Sequence, residues 1–209
     1  MPAFSAAIFD FDGTLADSFA WFIASLDQTA DHFGIKRVDP TQIESLRDLS
    51  SREALIRLGV PFWKLPQMAI YLRNLFYEGI DTIAPFAGAT EMLAALHAAS
   101  VKLAVVSSNA EINVRHVLGE AAGLIGVYAC GSSLWGKAEK FGRVLRLLGE
   151  APACAIAIGD EIRDIEAARQ AGLAAGVVSF GYNSRRALEG AAPDRLFDSY
   201  DELVTAVAG

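Results

Sequence analysis

The sequence predicts an α/β protein whose parallel sheet is covered on both faces by helices, with an all-helical segment inserted after the first strand. Three observations carry this expectation. A short apolar run, Ala6 to Phe9, is bounded by a Gly13-Thr14 turn and reads as a buried strand. From Asp17 to about Asp81, apolar residues recur at helical spacing with no convincing strand. From Ala84 onward, helical and strand patterns alternate, the signature of parallel strands joined by helical crossovers.

Taken in order, Asp17 or Ser18 caps a helix carrying Phe19, Phe22, Ile23, Leu26, Ala30 and Phe33, which Gly34 ends. Asp39-Pro40-Thr41 opens a second helix through Ile43, Leu46 and Leu49. Ser50-Ser51-Arg52-Glu53 opens a third, stopped by Gly59, and Pro61 to Gly79 gives a fourth. Beyond Pro85 the predicted helices cover 89–99, 111–118, 137–148, 162–171 and 199–208. The predicted strands cover 103–106, 127–130, 155–158, 174–178 and 196–197. Gly181 to Arg186 follows a strand, which places it where it could edge a site at the strand ends, and reads as a surface loop. Gly13-Thr14 and Pro85 to Gly88 bracket the inserted helices and are candidate hinges.

Composition limits the function classes. Of 209 residues, 53% are hydrophobic and 21% charged, enough apolar material for a packed core. A net charge of -7 disfavours non-specific contact with nucleic acid or anionic membranes. No uninterrupted apolar window is long enough to span a bilayer, and the N-terminal apolar run lacks a basic region before it, so a cytoplasmic protein is expected. Cys130 and Cys154 each lie in an apolar stretch without zinc-ligand spacing and read as buried structural thiols.

The chemistry gathers at the predicted strand ends, where open α/β sheets bind ligands. Asp10 and Asp12 close the first strand. Two carboxylates leaving a buried strand need a cationic partner, because unpaired charge is costly to remove from water. Ser107-Ser108-Asn109 closes the second strand with a hydroxyl and backbone N–H groups suited to an anion. Lys137 and Lys140 lie three apart near a helix start. Gly159-Asp160-Glu161-Ile162-Arg163-Asp164 is a second acidic cluster. Carboxylates from two strand ends form an oxygen cage suited to magnesium.

In this order, the motifs Asp10-x-Asp12-Gly13-Thr14, Ser107, Lys137 and Gly159-Asp160-Glu161-x-x-Asp164 resemble those of the haloacid dehalogenase superfamily, and within it the phosphoglycolate phosphatase and beta-phosphoglucomutase branch. The resemblance implies a Rossmann-like three-layer sandwich, residues 1–15 and 85–209, with an inserted helical cap domain, residues 16–84. It implies a magnesium-dependent phosphatase acting on a small phosphorylated metabolite, phosphoglycolate or a sugar phosphate among them. Asp10 is then the nucleophile, and Asp12 the general acid and base. Ser107, Ser108, Asn109 and Lys137 bind the phosphoryl group, Lys137 also holding Asp10. Magnesium is held by Asp10, Asp12, Asp160 and Asp164, with Asp10 offering a side-chain oxygen and Asp12 a main-chain one. Glu161 is a weaker candidate. The third motif departs from the family in having no proline, which leaves Lys140 as an alternative to Lys137.

Specificity is expected from the cap, with Arg52 the favoured contact to an anionic substrate ahead of Arg47, Lys36 and Lys64, and with Trp21, Phe22, Trp63 and Phe76 forming the cap's core. Rival readings are a phosphomutase or phosphonate hydrolase of the same superfamily, or a non-catalytic binding protein on the same fold. The expected partner is the small substrate alone, in a monomer or small homo-oligomer.

Overall fold

The computed structural model describes residues 2–131 and 136–209. A six-stranded sheet forms its centre: β1 (Ala6–Phe9), β2 (Lys102–Val106), β3 (Val127–Ala129), β4 (Ala155–Gly159), β5 (Ala174–Val178) and β6 (Arg195–Phe197), in spatial order β3-β2-β1-β4-β5-β6. Every pairing is parallel. The strand order reverses at β1, so the first and most deeply buried strand lies at the switch point where such sheets bind ligands.

The two-residue alternation of β1 divides the interior into two layers. Ala7 and Phe9 join a cluster with Leu93 and Leu96 of α5 (Ala89–Ala98), Val114 of α6 (Glu111–Leu118) and Leu203 of α10 (Tyr200–Ala208). Ala6 and Ile8 join another with Phe141 and Val144 of α7 (Lys137–Leu148), Ile165 of α8 (Ile162–Ala171) and Leu188 of α9 (Arg185–Gly190). All four β1 residues are fully buried, which explains why they read as an uninterrupted apolar run.

Between β1 and α5 the chain forms α1 (Phe19–Phe33), α2 (Ile43–Arg47), α3 (Ser51–Arg57) and α4 (Leu65–Glu78). Gly34 ends α1 in the left-handed region at φ 58°. Ser50 and Glu53 form a reciprocal capping box at α3: the Ser50 N–H donates to Glu53 Oε2 at 2.9 Å, and the Glu53 N–H to Ser50 Oγ at 3.3 Å. The chain leaves and rejoins the sheet layer along adjacent paths, tied by Asp17 N–H to Ala84 O and Phe86 N–H to Leu15 O, each at 2.9 Å.

Four local expectations need correction. Gly181 and Asn183 are buried, not part of a surface loop, and Arg185–Gly190 is helical, capped by the Ser184 hydroxyl. The helix is short and has one buried residue, Leu188, so no apolar stripe marks it in the sequence. Cys154 is exposed because it closes a 3-10 turn before β4 enters the sheet. Trp63 is 73% exposed and no part of a core. It lies in a 3-10 turn, Phe62–Lys64, ahead of α4, whose own face does the packing.

Leu93 is fully buried in the first cluster. Leu93→Ala is expected to lower the free energy of unfolding by about 2–5 kcal/mol, and Ser50→Ala by about 0.5–2 kcal/mol, both read from urea denaturation.

Candidate active site

Strand register brings the polar residues together. Phe9 lies opposite both Val105 of β2 and Ile158 of β4. The residues that follow, Asp10, Ser107 and Asp160, therefore emerge at one edge of the sheet. Asp10 is 5% exposed. Its Oδ1 accepts from the Phe11 N–H at 2.7 Å, and its Oδ2 pairs with Lys137 Nζ at 2.7 Å. The same ammonium group meets Asp164 Oδ1 at 2.6 Å. Lys137 thus bridges two carboxylates from the first residue of α7. Lys140 lies one turn further along, and burial followed by the charge of Lys137 pushes its ammonium pKa down.

Asp164 also forms half of the α8 capping box. Its Oδ2 accepts from the N–H groups of Asp160 at 3.1 Å and Glu161 at 3.0 Å. Asp160 is fully buried: Oδ1 accepts from the Thr14 hydroxyl at 2.7 Å and Oδ2 from the Tyr182 N–H at 2.8 Å. One oxygen each from Asp10, Asp160 and Asp164 lies within 4.8 Å of the others. With Glu161, which pairs with Arg163, four acidic groups face the two cations Lys137 and Arg163. This excess of buried carboxylate oxygen fits a hard divalent cation such as magnesium. The Asp12 carboxylate lies outside the trio.

The charge states follow from these contacts. Burial, then the neighbouring Glu161, Asp164 and Asp10, raises the Asp160 pKa well above the ordinary carboxylate value. Burial would also raise Asp164, but Lys137 and Arg163 outweigh it and hold its pKa low. Burial works against the Lys137 charge, and Asp10 and Asp164 overcome it, raising that pKa. Asp12 is pushed up to about 7, first by burial and then by the charge on Asp10, against the opposing hydrogen bond from Asn109. A carboxyl group so tuned can give and take a proton near neutrality.

Asn109 Nδ2 donates to Asp12 Oδ2 at 3.2 Å, while its Oδ1 accepts from the Ala110 N–H at 2.8 Å and from Asn113 Nδ2 at 2.9 Å. Its side chain is thus aligned on Asp12. Ser107 is buried, its Oγ accepting from the Asn109 N–H at 3.0 Å. The Ser108 carbonyl accepts from Arg73 at 3.2 Å.

A cavity of about 340 Å³ extends from Asp12, Ser108 and Asn109 into the inserted helices. Arg52, the cap cation favoured from the sequence, is exposed and does not line it, because the capping box starts α3 with Ser51 facing inward and Arg52 outward. Arg47, Arg73 and Arg163 line it instead. Trp21 and Phe22 also line it, whereas Phe76 is buried between Phe11 and Trp21 as well as bordering it.

The sequence assigned no individual role to Thr14, Arg163, Tyr182 or Asn183, although Thr14 and Arg163 stand within or beside its motifs. The last two follow the carboxyl end of β5, so the strand-end rule that found Asp160 would have found them too. Asn183 Nδ2 donates to the carbonyls of Arg47 at 2.7 Å and Leu49 at 2.8 Å, tying the α2–α3 turn to the sheet edge.

A parallel sheet with these acidic strand ends, bridged by one lysine and covered by inserted helices, defines a class. Residues 7–178 match the haloacid dehalogenase-like hydrolase family, and the chain belongs to it. More narrowly, it is similar to phosphoglycolate phosphatases. It is 33% identical over 204 residues to a phosphoglycolate phosphatase of Synechococcus elongatus, spanning 97% of this chain and 96% of that one. Among solved structures it is similar to CbbY from Rhodobacter sphaeroides in complex with phosphate, with a TM-score of 0.73, 25% identity and 96% of each chain covered. It shares its fold with SP0104, a haloacid dehalogenase-like hydrolase from Streptococcus pneumoniae, at a TM-score of 0.78 and 21% identity, over 97% of this chain and 98% of that one.

Backbone space around Asp160 is tight. A Cβ added at Gly181 would lie 2.2 Å from Asp160 Cβ and 2.5 Å from the Gly13 carbonyl oxygen, whereas one at Gly190 would meet nothing within 4 Å. Gly181→Ala is expected to cost about 1–3 kcal/mol of stability and to lower turnover sharply. Gly190→Ala is expected to change neither. Denaturation curves and steady-state rates check both.

Proposed function

We propose that this chain is a magnesium-dependent phosphatase that hydrolyses a small phosphorylated metabolite through a phosphoryl group carried on Asp10. The observation that carries this reading is the Lys137 ammonium bridging Asp10 and Asp164 beside the buried Asp160. Residues 16–84 act as the cap and residues 1–15 and 85–209 as the core. Phosphoglycolate and sugar phosphates are the first substrates to test, in keeping with the relatives' names.

The steps give each of these residues its part. Lys137 neutralises a phosphoryl oxygen and holds Asp10 in place, and the Ser107 hydroxyl and nearby N–H groups receive the other oxygens. An Asp10 carboxylate oxygen attacks phosphorus, the bond to the ester oxygen breaks, and Asp12 donates a proton to that oxygen. Asp12, now ionised and held by Asn109, takes a proton from a water that attacks the acyl-phosphate. Inorganic phosphate leaves and Asp10 is regenerated. Asp10, Asp160 and Asp164 would hold magnesium, with Asp12 contributing its main-chain oxygen, and the ion would supply charge neutralisation at the phosphoryl group.

Phosphate release from a metabolite panel tests this. Turnover is expected with magnesium and not with EDTA, and Asp10→Asn is expected to fall to background. Lys137→Met is expected to lose about two to three orders of magnitude in kcat. A folded protein that binds magnesium and hydrolyses nothing would defeat the reading.

Metal binding has its own readout. Magnesium at a hundred times its Kd is expected to stabilise the fold by about 2.7 kcal/mol, seen as a higher Tm. The rise is expected to shrink in Asp160→Asn, which removes one carboxylate ligand from the trio.

A further inference from the structure

Among the described residues, the inserted helices hold one small buried cluster of their own, Val60, Leu65 and Met68, with Phe33, Ile35, Leu55 and Leu58 packed against it. Their apolar faces line the cavity that opens at Asp12, with Phe22 and Leu26 from α1, Leu55 from α3 and Leu72 from α4 among its walls. The arginines that reach it are gathered at the end nearest the sheet, and each has a protein partner. Arg47 donates to the carbonyls of Tyr182 at 3.0 Å and Gly181 at 3.1 Å, Arg73 to the Ser108 carbonyl at 3.2 Å, and Arg163 pairs with Glu161. Lys36, the remaining cation, is exposed.

The polarity of the cavity has a direction. Asp12 lines it, while Asp10, Lys137, Asp160 and Asp164 do not. In the reaction above, Asp12 faces the ester oxygen and the other four face the phosphoryl group. The space beyond Asp12 therefore receives the alcohol that leaves. We propose, resting on that phosphatase reading, that this alcohol is apolar: the substrate is a phosphate monoester of an aliphatic or aromatic alcohol of about six to ten carbons, seated among the inserted helices. The cavity, about 340 Å³, has room for more than the single benzene ring that a cavity of about 150 Å³ accommodates. A two-carbon carboxylate such as glycolate would reach only the arginine end and leave the apolar remainder of the cavity unfilled. Tyr182 narrows the Asp12 end, its ring 5.3 Å from Phe19 and 5.4 Å from Phe22, so the ester is gripped by aromatic edges where the apolar space begins.

Rates for ethyl, butyl, hexyl and octyl phosphate, with 2-phosphoglycolate alongside, test this on the unmodified protein with magnesium. The expected result is a rise in kcat/KM of about three- to fourfold per added methylene up to hexyl phosphate, which then exceeds 2-phosphoglycolate. Ala69 lies in the cavity wall on α4, and Ala69→Trp is expected to lower the hexyl-to-ethyl ratio at least about tenfold. A flat or falling series with 2-phosphoglycolate preferred would overturn the apolar assignment while leaving the phosphatase reading intact. Failure to hydrolyse any of the five esters, with Asp10→Asn indistinguishable from the unmodified protein, would overturn both.

Discussion

The Lys137 ammonium between Asp10 and Asp164 is the interaction on which the rest of the site depends. Carboxylates at the ends of fully buried strands are sustainable only when a cation and hydrogen-bond donors share their charge. Lys137 supplies the charge from the first turn of α7, where the helix dipole gives a lysine no benefit. The backbone N–H groups at the start of α8 supply the donors to Asp164. These two helices pack on the same face of the sheet, in the cluster with Ile8, so one layer of the sandwich fixes the geometry of the charged group.

Parallel pairing does the remaining assembly. Because β1 pairs with both β2 and β4 in matched register, residues nearly 100 and 150 positions from Asp10 arrive at its side without any local signal connecting them. The loop after β5 completes the arrangement and also extends it. Tyr182 donates its N–H to Asp160, and Asn183 donates its side-chain N–H groups to the α2–α3 turn. A single buried loop thus links an expected cation ligand to the helices that wall the cavity. Gly13, at φ 74°, lies against the same carboxylate, with no room for a side chain next to Asp160 Oδ2.

Much of this was legible in the sequence. Helices with a cap and an apolar stripe, such as Lys137–Leu148 and Ile162–Ala171, were bounded to the residue, and the buried strands followed from uninterrupted apolar runs. Asp10, Asp12, Ser107 and Asp160 stood out because polar residues at the ends of such runs need a reason, Asp164 by its four-residue spacing from Asp160, and Lys137 because a helix start gives a lysine no benefit. What escaped lacked a periodic signal. The six-residue α9 buries a single side chain, and Asn183 is a small polar residue in a loop whose burial comes wholly from the elements around it. Arg52 was favoured for its nearness to a helix start, but helix phase, set by the Ser50 capping box, turned its neighbour Ser51 inward.

The sequence by itself determined the layered α/β architecture, the inserted helices and the residues that carry charge at strand ends, because periodicity and the cost of burying charge act locally along the chain. The tertiary structure alone decided which lysine meets Asp10, that Tyr182 and Asn183 belong to the site, and which arginines reach the cavity. Those outcomes depend on strand register and helix phase, which are set by packing between segments far apart in sequence.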